Sequence, residues 1–131
     1  MGKCLCWDAT IVCTLALSHL PGTSENAGAA ASSAERRKTE KYRTLTPNYI
    51  FSPLGFETLG SWGPEARRFV TIVGAKIRDQ SGEPRATDFL KQRISVEVQR
   101  GNAASILGTL PPSENLDELF SVPRRPFGES R

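Results

Sequence analysis

Between Lys3 and Leu17 the chain carries Trp7, Thr10, Ile11, Val12 and Thr14 in a run free of Gly and Pro. β-Branched and aromatic side chains in an unbroken stretch favour an extended backbone buried on at least one face, so a strand is predicted over 3–17. A second apolar stretch holds Tyr49, Ile50, Phe51, Leu54, Phe56 and Leu59 before Gly60. Pro53 and Gly55 lie inside it, which predicts an edge strand, a bulged strand or two short pieces, because Pro donates no ladder hydrogen bond. Between the two stretches, Ser18 to Gly28 collects turn-forming residues and reads as a loop. Ala29 to Tyr42 is rich in helix formers and reads as a helix with a weakly apolar face, ended by Thr46-Pro47-Asn48.

The alternation continues downstream. Ser61-Trp62-Gly63-Pro64 is a turn opening a helix, with Pro64 in the first turn where its missing N–H costs little. Ala66, Phe69, Val70, Val73 and Ile77 then share one helical face. Leu90, Ile94 and Val98 recur at intervals of four. Ile94, Val96 and Val98 also alternate, but the run from Arg85 to Gln99 exceeds usual strand length, so a helix is favoured. Arg100-Gly101-Asn102 marks a stop or kink. The fold class is therefore α/β. With 131 residues there is room for one compact domain, placed at 1–110, and a multidomain enzyme is excluded. From Pro111 to Arg131, four prolines and few large apolar residues predict a disordered tail.

Seventeen basic against fourteen acidic residues leave a net charge of +3, which permits nucleic acid as a partner without requiring it. All three cysteines, Cys4, Cys6 and Cys13, crowd into the first strand, unlike a disulfide framework, and their spacing is not that of a zinc site. An intracellular compartment, cytoplasm or nucleus, is expected. The apolar start offers a small secreted protein as the alternative, against which Asp8 interrupts the signal-like run. No stretch has the length of a membrane span, so no membrane partner is expected. His19 is the only histidine and lies in a loop, which gives a nucleophile–base pair little support. Neither GSWG nor GTLPP has the spacing of a phosphate-binding loop.

Taken in order, CLCWDATIV, the basic helix ending EKY, YIFSPLGFETLGSWGPEA and FLKQRISVEVQRGNAASILGTL form a known succession. It resembles the C-terminal part of retrotransposon polyproteins, which carry a reverse transcriptase and end in a restriction-enzyme-like endonuclease domain. The resemblance covers about residues 2–110, and GFETLGSWGPEA and QRGNAAS are its most specific pieces. It implies a PD-(D/E)xK-like fold, here an incomplete small mixed sheet with flanking helices. It further implies that acidic residues hold a divalent metal beside a lysine. Two carboxylates bind Mg²⁺ by oxygen, and the metal lowers the pKa of water and neutralises the scissile phosphate. On that template the strand aspartate and metal ligand is Asp8, and the helix lysine is Lys41, beside Tyr42.

One departure from the family matters. Its first metal-binding aspartate stands in a Pro-Asp motif ahead of the WDAT strand, and no such motif precedes Asp8. Thr10 also occupies the D-x-K register. The expectation is a truncated, catalytically inactive retroelement fragment, with Mg²⁺ a cofactor of intact relatives but not tightly held here. Glu57 is a candidate substitute ligand. Arg36, Arg37, Lys38, Lys41 and Arg43 read either as a face for DNA or RNA, which makes a non-catalytic binding module the alternative, or as a solvated helix surface. Trp62 is assigned to packing at a sheet–helix junction. Loss of upstream strands would expose a sheet edge along residues 3–17 and favour a homodimer through it.

Overall fold

A computed structural model describes residues 2–109. The disordered tail expected over 111–131 lies outside the described residues. The elements run β1 (Cys4–Val12), α1 (Leu20–Thr23), α2 (Ala29–Lys41), a 3-10 turn (Arg43–Leu45), β2 (Tyr49–Glu57), α3 (Pro64–Ser81) and α4 (Ala86–Leu107). Two compact units part after Gln99. The first holds both strands and α1 to α3. The second contains, among the described residues, the last turns of α4.

The fold is mixed α/β, as the alternation predicts: β1 and β2 pair in parallel in a two-stranded sheet, with Cys4 opposite Tyr49 and Val12 opposite Glu57. Parallel strands need a crossover, and α2 supplies it. Strand β1 is shorter than predicted. Beyond Val12 the chain turns, because the Thr14 amide donates to the Thr58 hydroxyl at 3.1 Å and the Thr23 hydroxyl donates to the Thr14 carbonyl at 2.9 Å. Pro21 and its neighbours form a single helical turn inside the predicted loop.

β2 runs unbroken through Pro53, which corrects the expectation of a bulge or two pieces and keeps that of an edge strand. The Gly55 and Glu57 amides point away from β1, to the Glu35 carboxylate and the Ser61 carbonyl. Pro53 shares their alternation, so its missing N–H falls on the free edge and not in the ladder. Even-numbered β2 residues face α3, where Leu54 and Phe56 pack with Ala66, Phe69, Ile94 and Trp62. Trp62 stands edge-on to Phe56 at 5.2 Å, in the packing role predicted for it.

Odd-numbered β2 residues face α2. Buried Ala30, Ala31 and Ala34 line that helix, so it approaches closely: a Cβ on Gly55 would lie 2.5 Å from the Ala31 carbonyl oxygen. What reads in sequence as a weakly apolar face is a surface of small side chains. α3 begins after Gly63 and ends at Gly82, whose φ of 73° suits glycine. A Cβ on Gly74 would sit 2.8 Å from the Thr87 Cα, so α3 and the start of α4 meet at near backbone contact. Of the stop or kink expected at Arg100-Gly101-Asn102, the stop does not occur. Helix continues to Leu107, since a single interior Gly costs only about 1 kcal/mol relative to Ala.

Candidate functional site

Asp8 lies in the middle of β1 on the face covered by α2. Its Oδ2 accepts a hydrogen bond from Lys38 Nζ at 2.6 Å, and both side chains are about one-third exposed or less. The Lys38 ammonium is held above its usual pKa, chiefly by that hydrogen bond to Asp8. Desolvation opposes the shift, and the charges of Asp8 and Tyr42 add to it. Lys41, the lysine implied by the family resemblance, is not brought to Asp8. Its ammonium lies over the Tyr42 ring, 5.1 Å from the centroid, and Tyr42 packs against Phe51 at 4.9 Å. Lys38 precedes Lys41 by three positions on the same helix, so one turn decides which of the two meets the strand. The sequence places Lys38 in the basic run but gives no sign that it is the strand's partner.

The remaining cations of the predicted nucleic-acid face divide. Arg43 pairs with Glu40 at 3.3 Å, in an exposed ion pair of little energetic consequence. Arg36, Arg37 and Lys41 are exposed and have no carboxylate partner among the described residues. A cleft of about 540 Å³ opens between α2, β2 and the start of α3, lined in part by Arg36, Glu40, Glu65 and Phe51. Asp8 and Lys38 do not line it.

Two glutamates are buried in the first unit, and no pattern in the sequence marks the role of either. Glu35, 3% exposed, reaches from the middle of α2 to the start of α3. Its Oε1 accepts from the Gly55 and Ala66 amides at 3.0 and 2.9 Å, and its Oε2 accepts from the Glu65 amide at 3.0 Å. Glu65 and Ala66 belong to the first turn of α3, whose amides have no intrahelical partners and whose dipole favours negative charge. Gly63 is glycine because a Cβ there would collide with the Glu35 carboxylate.

Glu57 does for α2 what Glu35 does for α3. Its Oε1 accepts from the Ala30 and Ala31 amides at 3.0 and 3.2 Å, while its Oε2 is buried without a hydrogen-bond partner among the described residues. Neither helix has a side-chain cap from its own N-cap residue, Gly28 or Gly63. Glutamates distant in sequence take over that role.

The donor set does not fit the divalent metal implied by the resemblance. Asp8 shares its carboxylate with an ammonium, and Glu57, the candidate substitute, directs one oxygen to backbone amides. Among the described residues no three His, Cys, Asp or Glu side chains are grouped to hold an ion. Cys4, Cys6 and Cys13 are free thiols. No helix of the described residues is long and apolar enough to cross a membrane. No family model matches the chain, and neither a curated protein nor a solved structure does.

Proposed function

We propose that the chain is a retrotransposon-derived, endonuclease-like module that has lost strand cleavage and retains contact with nucleic acid through α2. The observation that carries this reading is the Asp8–Lys38 pair at 2.6 Å. Asp8 and Lys38 stand side by side on a β–α–β unit, as the strand carboxylate and helix lysine of a PD-(D/E)xK-like layout would, and among the described residues no three metal-ligating side chains are grouped around them. An ammonium at this distance can orient a phosphate oxygen or a water. One carboxylate alone grips Mg²⁺ poorly, since that cation needs close to ideal octahedral oxygen geometry. Arg36, Arg37 and Lys41, exposed and without a carboxylate partner among the described residues, support electrostatic contact with a phosphate backbone.

The cleavage half of the reading is tested by incubating supercoiled plasmid with the full chain and Mg²⁺ or Mn²⁺. No nicking is expected, and nicking that disappears in Asp8→Ala would overturn inactivity. The binding half is tested by salt titration of affinity for duplex DNA. Each phosphate contact contributes a slope of about −0.9 in log K against log salt, so Arg37→Ala with Lys41→Ala should flatten the slope by nearly two. An absence of binding at low salt, or a slope unchanged in the double variant, removes nucleic acid from the proposal.

A further inference from the structure

One edge of β1 carries no strand among the described residues. Val12 turns its carbonyl toward β2, where the Thr58 amide donates to it at 3.0 Å. Backbone groups of successive strand residues alternate in direction, so Cys4, Cys6, Asp8, Thr10 and Val12 direct theirs to β2. Leu5, Trp7, Ala9 and Ile11 then direct their N–H and C=O groups to the open side. Among the described residues β1 has no other strand neighbour.

The same four residues put their side chains on the sheet face opposite α2, and the three large ones stay more than half exposed, Leu5 at 52%, Ile11 at 56% and Trp7 at 60% although its ring meets Phe69 of α3 at 6.5 Å. Together they leave on the order of 300 Å² of apolar surface beside an unpaired edge, the size of the largest patch on many monomers. Exposed Ile50 and Ile72 enlarge it.

We propose that two copies of this chain join β1 to β1 in antiparallel fashion about a two-fold axis through Asp8, giving a four-stranded sheet β2-β1-β1-β2. The occupant is a second copy because the strand is complementary to its own reverse. With Asp8 at the centre, all nine residues of β1 find a partner. Leu5 meets Ile11, and Trp7 meets Ala9, a large side chain beside a small one. These pairs are the ones whose backbone groups point outward, so they are the hydrogen-bonded pairs of the new ladder. Cys6 meets Thr10 and Asp8 meets Asp8 in the closer, non-hydrogen-bonded positions.

Like charges directly opposite are unfavourable in a sheet. Here each carboxylate arrives with its own ammonium at 2.6 Å, so two ion pairs meet instead of two bare anions. Lys38 thereby becomes a positioning residue for the interface. The assembly does not depend on nucleic-acid binding, and its failure would leave that proposal standing.

Sedimentation equilibrium of the full chain should give a mass near twice the monomer's 14.3 kDa in the micromolar range. A clean monomer there overturns the proposal. The register is read by a chain carrying Thr10→Cys, Cys4→Ser and Cys13→Ser. Mild oxidation should link it covalently through Cys6 of one copy and the new thiol of the other, which lie too far apart along one strand to join within a copy. The same chain with Thr10 retained should stay unlinked, and equal linking of both overturns the register. Lys38→Met should weaken association by roughly fivefold through the uncovered carboxylates, and adding Asp8→Asn should restore it. Association indifferent to both substitutions would mean that the axis does not pass through Asp8.

Discussion

On the α2 side of the sheet, glutamate side chains are buried against backbone amides; along β1, large apolar side chains stand more than half exposed. The first region holds Glu35 and Glu57 inside, at 3% and 1% exposure, and the second leaves Trp7 at 60%. Each inversion has a local cause. Helix N-termini arrive in the interior with bare amides and need acceptors, which the buried glutamates provide. On the opposite face the core centres on Leu54, Phe56 and Ala66, and β1 reaches only its margin, where Trp7 meets Phe69. The α2 side is closed by contacts within a single chain, whereas one edge of β1 has no strand neighbour among the described residues.

The contrast breaks most severely at Glu35. Glu35→Ala strands three amides from two separate elements, two of them buried, and should cost about 3–5 kcal/mol, read as a fall in the urea midpoint. Crowding the same junction comes next. Gly55→Ala places a Cβ against the Ala31 carbonyl, a backbone atom that cannot swing aside, and should cost about 1–3 kcal/mol.

The two glutamates can also be set against each other. Glu35 uses both oxygens, so Glu35→Gln turns a donor toward the Glu65 amide and should cost about 1–3 kcal/mol. Glu57 uses only Oε1, so Glu57→Gln replaces an oxygen that accepts nothing among the described residues and should change stability by less than about 1 kcal/mol. Equal costs in the two variants would show that the second Glu57 oxygen has a partner after all. At the open edge, Ile11→Thr keeps the branched shape of an exposed residue and should move the stability of the single chain by no more than about 0.5 kcal/mol. The same substitution should weaken self-association, and this division of effects separates an unfinished edge from an ordinary surface.

Much of the scaffold was legible because it follows from side-chain periodicity and breakers. The Trp7 to Val12 run, the Pro64 helix start and the Leu90–Ile94–Val98 spacing each map onto an observed element. Misplaced ends arise where distant partners intervene. Thr14 leaves the strand because its amide donates to Thr58, 44 positions downstream, and its carbonyl accepts from Thr23, nine positions downstream. Pro53 stays in its strand because its missing N–H faces an edge, and which side of a strand is the edge is a property of topology. The candidate site is legible in part: Asp8 stands out within the WDAT strand and Lys38 belongs to the basic run, but nothing in the sequence marks their pairing. Glu35 was invisible as a cap, because its partners are amides of residues 20 to 31 positions downstream. No side-chain pattern announces a backbone acceptor at that range.

The Asp8–Lys38 pair sits where the two regions meet, and alkaline pH examines it alone. Because the Lys38 pKa is raised in the folded protein, the pair contributes in full below the unfolded lysine value of 10.5. As pH climbs past that point the unfolded chain releases its proton first. The contribution then declines until the folded-state pKa is crossed, after which nothing remains. Asp8→Asn removes the cause of the shift, so wild type and variant should differ in urea midpoint by a constant amount from neutral pH to about 10.5, and converge above it. The direct reading is the Lys38 Nζ resonance in both chains, whose titration should move down toward the ordinary lysine range in the variant. If the difference in midpoint persists undiminished at the alkaline end, Asp8 stabilises the strand through some contact other than the ammonium of Lys38.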